Sequence, residues 1–207
     1  MIAIPNYGLG NVGSLINSLN KIEVKFTLIS NPELLKNFDK IILPGVGTFS
    51  KGINKLEMLG WTKPLNQFNS EKKPILGICL GMQLLFDRSD EFNEKNIKGL
   101  GFIDGEVKIL KSNSNFKIPH MGWNNIKVKN NHQIFSGISP NVDYYFVHSY
   151  ACYPKQQKNI LSTTNHYESF VSSINKENII AFQFHPEKSP PSGLKILKNF
   201  SEWSYKC

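Results

Sequence analysis

The sequence predicts an α/β protein: a single domain over residues 1–207, built on a central mixed, mostly parallel sheet flanked by helices. Three observations carry that expectation. Short apolar runs alternate with segments of helical periodicity through residues 1–88, the pattern of repeated strand–helix units. The run at 74–78 is apolar throughout rather than alternating, as parallel strands buried on both faces are. The second half holds several strand candidates with little helix between them, which brings antiparallel pairing into the same sheet.

Each element follows in order. Residues 2–4 make a short apolar strand, followed by a glycine-rich turn, Asn6-Tyr-Gly-Leu-Gly-Asn11, and a helix that sets Val12, Leu15, Ile16 and Leu19 along one side. Residues 24–29 are a second strand. Asn31-Pro32 has helix-start chemistry, an asparagine cap before a proline whose fixed φ suits a first turn. Residues 40–43 are a third strand entering Pro44-Gly-Val-Gly47, and helices are expected over 50–59 and 62–68. Residues 74–78 form the fourth strand and 80–88 the helix after it. Beyond lie strands at 106–110, 123–128, 144–151 and 160–164, then 170–174 and 179–184 flanking the polar loop 175–178 as a hairpin. The last helix covers 192–203, with Leu194, Ile196, Leu197 and Phe200 as its apolar side. No repeat, low-complexity stretch or linker divides the chain.

Composition excludes several functions. No apolar run approaches the roughly 20 residues of a membrane helix, and the N-terminus has no charged region ahead of a hydrophobic segment, so a soluble, unexported protein is expected. Cys79, Cys152 and Cys207 are odd in number and far apart, without a C-x-x-C pair, which argues against a disulfide framework and a zinc site and suits a reducing cytoplasm. The formal charge is +8, from 24 Lys+Arg against 16 Asp+Glu, but Arg88 is the sole arginine and the lysines form no tract. Bidentate base readout favours arginine, so no nucleic-acid partner is expected and most of the charge reads as solvated surface.

The chemistry concentrates at Gly77-Ile-Cys-Leu-Gly81, a G-x-C-x-G pattern where a buried strand gives way to a helix. This is the cysteine form of a nucleophile elbow, with glycines making room for the backbone around a sharp turn. A free thiol with its usual pKa is only about 3% thiolate at pH 7, and a helix N-terminus or an imidazolium raises that fraction. The helix start also offers the Leu80 N–H to an oxyanion formed when Cys79 attacks a carbonyl. Taken alone, Cys79 reads equally as a small buried hydrophobe. His185-Pro-Glu187, after the strand at 179–184, changes the balance. Pro186 biases His185 toward an extended conformation, in which His185 and Glu187 project to the same side as a base and the carboxylate that orients it.

With these residues the chain resembles the class I (triad) glutamine amidotransferases. The resemblance runs through Asn6-Tyr-Gly-Leu-Gly-Asn11, Leu43-Pro-Gly-Val-Gly47, Leu76-Gly-Ile-Cys-Leu-Gly-Met-Gln-Leu-Leu-Phe86, Pro119-His-Met-Gly-Trp-Asn124, Tyr145-Phe-Val-His-Ser-Tyr150 and Gln183-Phe-His-Pro-Glu-Lys-Ser189. Within the family it points to the glutaminase subunits of imidazole glycerol phosphate synthase, which serve histidine biosynthesis. It implies the family fold and a catalytic triad of Cys79, His185 and Glu187 that hydrolyses L-glutamine to glutamate and ammonia through a thioester, with no cofactor and no metal. It further implies an oxyanion hole from the N–H groups of Leu80 and Val46, and glutamine held by Gly45, Gly47, Gln83, His148, Ser149 and Tyr150. The implied partner is a TIM-barrel cyclase in a heterodimer, met by Asn11, His120, Met121, Trp123, Asn124 and Lys188. Asn6 departs from the pattern, standing where the family usually has aspartate.

Three other readings stay open at this stage. The same glutaminase chemistry serves a sugar amidotransferase of surface-polysaccharide pathways equally well. A cysteine peptidase uses a similar elbow. A catalytically silent binding subunit would have no need to keep all three triad residues.

Overall fold

The computed structural model describes residues 1–10, 12–91, 97–114 and 116–205, so Asn11 and Cys207 lie outside the described residues. The strands of its first half are apolar on both faces, and the sheet they form is covered on both sides. β1 (Ile2–Pro5) pairs in parallel with β2 (Phe26–Ile29) and β3 (Lys40–Leu43), and β3 pairs in parallel with β4 (Ile75–Ile78). Ala3, Ile41, Leu43 and Ile75 pack on one face under α2 (Phe49–Met58) and α3 (Thr62–Ser70), which contribute Phe49, Leu56, Leu65 and Phe68. Ile4, Ile42, Leu76 and Ile78 pack on the other under α1 (Val12–Lys21) and α5 (Ser192–Glu202), which contribute Leu15, Leu19, Ile196 and Phe200. The two-residue alternation of strand side chains thus feeds two separate cores.

The predicted helix start at Asn31-Pro32 is a short 3-10 helix, Pro32–Asn37, with the Asn31 side chain accepting the Glu33 N–H at 3.0 Å. The expected helix over 80–88 is corrected. α4 is only Leu80–Leu84, and β5 (Phe86–Ser89) follows it as a strand, paired with β7 (Ile103–Ile109) in parallel and with β6 (Ile97–Lys98) antiparallel. Leu84, Leu85 and Phe86 are all fully buried, and a continuous apolar run fits a buried strand as well as a helix.

The expected strand at 144–151 is also corrected: it is two strands in two sheets. β10 (Asp143–His148) pairs with β8 (His120–Asn125) in a separate antiparallel ribbon, and after Ser149 the chain enters the large sheet as β11 (Tyr150–Pro154). β9 (Lys127–Val128) lies beside β12 (Ile160–His166), which pairs with β13 (Glu168–Lys176). β13 forms a hairpin with β14 (Ile179–Phe182), and Lys176 faces Ile179, so the polar loop shortens from four residues to Glu177 and Asn178. β14 returns in parallel beside β4 and completes the order β2-β1-β3-β4-β14-β13-β11-β7-β5-β6. Among the described residues no helix is long and apolar enough to cross a membrane.

Candidate active site

The carboxyl ends of β3, β4 and β14 lie side by side, where open α/β sheets bind their ligands. Each delivers one part of the site: the loop 44–47, Cys79, and the segment 183–189. Cys79 sits between β4 and α4 at φ +53°, ψ −111°, outside the usual regions for a side chain that has a Cβ. Its N–H donates to the Phe182 carbonyl at 2.7 Å, which ties the elbow to the strand that leads to His185. The glycines are sterically required. A Cβ on Gly81 would lie 1.9 Å from the Leu43 carbonyl oxygen, and one on Gly77 would lie 3.0 Å from the Gly81 oxygen.

His185 is buried, and its Nδ1 lies 2.7 Å from Glu187 Oε1. The backbone reason differs from the expected one: His185 is extended at φ −100°, ψ 94°, but Pro186–Lys188 winds into a 3-10 turn that swings Glu187 back under the ring. Ser189 Oγ donates to the His185 carbonyl at 2.7 Å, and Ser18 Oγ donates to the Glu187 carbonyl at 3.1 Å, so the turn is held from both sides. The ring's Nε2 is buried without a hydrogen-bond partner among the described residues. Burial opposes charging of this imidazole, but its interactions with Cys79 and Glu187 outweigh that cost and raise its pKa from 6.5 to about 10. The arrangement is a thiol beside an imidazole whose far side is held by a carboxylate.

Cys79 and His185 open into a cavity of about 500 Å³, lined also by Val46, Gly47, Thr48, Leu80, Gln83, Glu91 and residues 147–150. The loop 44–47 approaches α4 closely, since a Cβ on Gly45 would lie 2.8 Å from the Tyr7 hydroxyl and 3.0 Å from Leu80 Cβ. The buried Tyr7 donates to the Pro44 carbonyl at 2.5 Å, and burial pushes its phenol pKa well up, so it remains a donor.

A match to the family model "Glutamine amidotransferase class-I" covers residues 3–203. The chain belongs to the class-I glutamine amidotransferases. It is 45% identical over 201 residues to imidazole glycerol phosphate synthase subunit HisH 2 of Methanococcus maripaludis, covering 97% of this chain and 98% of that one. It is 42% identical to the HisH subunit of Sulfurimonas denitrificans, with 98% of each chain covered. In fold it matches a crystal structure titled as a glutamine amidotransferase, with a TM-score of 0.75 over 98% of each chain at 15% identity.

A class-I glutamine amidotransferase needs its substrate contacts around the elbow. Of the residues the resemblance implies for glutamine, Gly47, Gln83, His148, Ser149 and Tyr150 line the cavity, while Gly45 stands behind the loop against Leu80 and Gly81. The expected partner residues divide. Met121 and Trp123 are exposed, 62% and 57%, so Trp123 is surface rather than core. Lys188 lies over the Tyr145 ring at 5.3 Å, and Tyr145 packs edge-on against Trp123. His120 is buried beneath this patch and Asn124 is half-buried.

Two cavity or elbow residues had escaped the sequence reading. Glu91 is buried in the wall, and its carboxylate accepts the Phe49 N–H at the start of α2, in place of a cap from Thr48, whose side chain makes no such bond. Gln183 is fully buried with its amide nitrogen 3.8 Å from Cys79 Sγ. A polar residue inside the run Ile-Ile-Ala-Phe-Gln-Phe184 was the available signal.

Proposed function

We propose that this chain is the glutaminase subunit of an imidazole glycerol phosphate synthase, releasing ammonia from L-glutamine for a TIM-barrel cyclase partner. The observation that carries the chemistry is the Cys79–His185–Glu187 constellation at the mouth of a cavity large enough for an amino acid.

The mechanism follows from the groups present. The Cys79 thiolate attacks the side-chain amide carbon, and the oxygen takes the negative charge. Leu80, as the first residue of α4, has an N–H that no helical carbonyl satisfies, and it stabilises that oxyanion together with the Val46 N–H. The His185 imidazolium gives its proton to the leaving nitrogen, the C–N bond breaks, and ammonia departs from a γ-glutamyl thioester. Neutral His185 then takes a proton from water, which attacks the thioester and expels Cys79 with glutamate. Glu187 holds the Nδ1–H side of the ring throughout. The Glu91 carboxylate in the wall suits the ammonium of the substrate's α-carbon.

Exposed Met121 and Trp123, with Lys188 beside them, form the face on which the cyclase docks. The same catalytic chemistry serves a sugar amidotransferase as a second reading. Glutamate release from glutamine, measured with and without the cyclase of the same organism, tests the proposal. The cyclase is expected to stimulate release, and Cys79→Ala to abolish it; release undiminished in Cys79→Ala contradicts the mechanism. Stimulation by a sugar amidotransferase alone would transfer the chain to the second reading.

A further inference from the structure

Behind the cavity, buried polar side chains connect the exposed ribbon to the elbow, and two backbone carbonyls dictate which way every hydrogen points. Asn124 Nδ2 lies 3.0 Å from the Asn165 carbonyl and 3.2 Å from His120 Nε2. A carbonyl only accepts, so the amide nitrogen of Asn124 faces both groups and His120 Nε2 carries a lone pair. His120 Nδ1–H then donates to His148 Nε2, 3.0 Å away. His148 must carry its hydrogen on Nδ1, where the Tyr150 carbonyl accepts it at 2.8 Å. The two ends demand the same tautomers.

The Tyr150 carbonyl also accepts from Gln83 Nε2 at 3.0 Å, which fixes that amide. Its second hydrogen goes to Gln183 Oε1 at 3.1 Å. The amide group left on Gln183 is therefore its NH2, 3.8 Å from Cys79 Sγ. Burial holds His120 and His148 neutral, with pKa values of about 4 and about 3, as single-tautomer links require.

We infer that Gln183 is a catalytic hydrogen-bond donor to the Cys79 sulfur, and that His120 and His148 are positioning residues that hold in place the Tyr150 carbonyl, which turns the Gln83 amide and through it that of Gln183. The inference rests on Cys79 being the nucleophile. The donor matters because the thiol's other neighbour, the Val147 carbonyl at 3.8 Å, can only accept and so favours the protonated sulfur. A positioned N–H favours the thiolate instead. The titratable groups acting on this sulfur are His185, Tyr7 and Cys152. Gln183 adds an uncharged donor to that set, and it does not titrate away.

Two measurements on the full chain test this. In the unaltered protein, ¹⁵N NMR of the imidazoles should show both His120 and His148 with hydrogen on Nδ1. In Gln183→Glu and Gln183→Met, which keep the side-chain size, iodoacetamide alkylation followed at the Cys79 peptide should have its pH midpoint displaced upward. An Nε2–H tautomer at either histidine, or midpoints unmoved in both variants, overturns the inference while leaving the nucleophile assignment standing. Absence of alkylation at Cys79 at every pH overturns both.

Discussion

Cys79 holds its positive φ because Gly77 and Gly81 leave the backbone of α4 free to press against the end of β3. Gly81→Ala would drive a methyl group into the Leu43 carbonyl, backbone against backbone, and should lower stability by about 3 kcal/mol or more, read as a drop in the urea midpoint. His185 sets the pH behaviour. Its folded pKa is raised, so the stability it contributes is fully present below about 6.5 and is lost as pH rises toward about 10. Ammonia release needs the protonated ring, so kcat should fall along the same alkaline limb. Glu187→Gln removes the carboxylate that favours the charged ring; it should move that limb to lower pH and reduce kcat by at least about 10²-fold. A limb that stays in place would remove Glu187 from this role.

At the scale of elements, the ribbon of β8 and β10 joins the outer surface to the base. Tyr145 of β10 donates its N–H to Ser189 Oγ at 2.9 Å and accepts the His185 N–H at 2.9 Å. The same ribbon buries His120 opposite His148. Both have lowered folded pKa values, so their contribution to stability is present above about 6.5 and is lost as pH falls toward about 4. Urea midpoints should decline across that window, and His120→Phe should flatten the decline; an equally steep decline in the variant would mean that other groups cause it.

The parallel half of the sheet was legible because the stretches 2–5, 41–43 and 75–78 are apolar throughout, and the elbow because glycines bracket its cysteine. Leu84-Leu85-Phe86 misled because such a run satisfies helix and strand alike. The run at 144–151 misled because aromatic and apolar residues resume directly after His148-Ser149, where the chain changes sheets. Gln183 and Glu91 were hidden for a different reason: their roles depend on partners 104 and 42 residues away, which no local pattern displays.

For the whole molecule, the exposed Met121 and Trp123 are not among the residues that line the catalytic cavity, so docking and chemistry are separable by mutation. Trp123→Ala should weaken cyclase binding by about 2 kcal/mol, measured by calorimetry, while leaving Cys79 alkylation unchanged. The +8 charge should make the association rate fall with added salt, and Lys188→Ala should reduce that dependence. The central claim is that Cys79 forms a covalent bond to the substrate. Rapid acid quench of the protein with glutamine and cyclase, followed by intact and peptide mass spectrometry, reads it directly. One γ-glutamyl group on the Cys79 peptide, absent in Cys79→Ala, is the expected result; glutamate produced at full rate with no adduct on Cys79, or with the adduct on another residue, would contradict it.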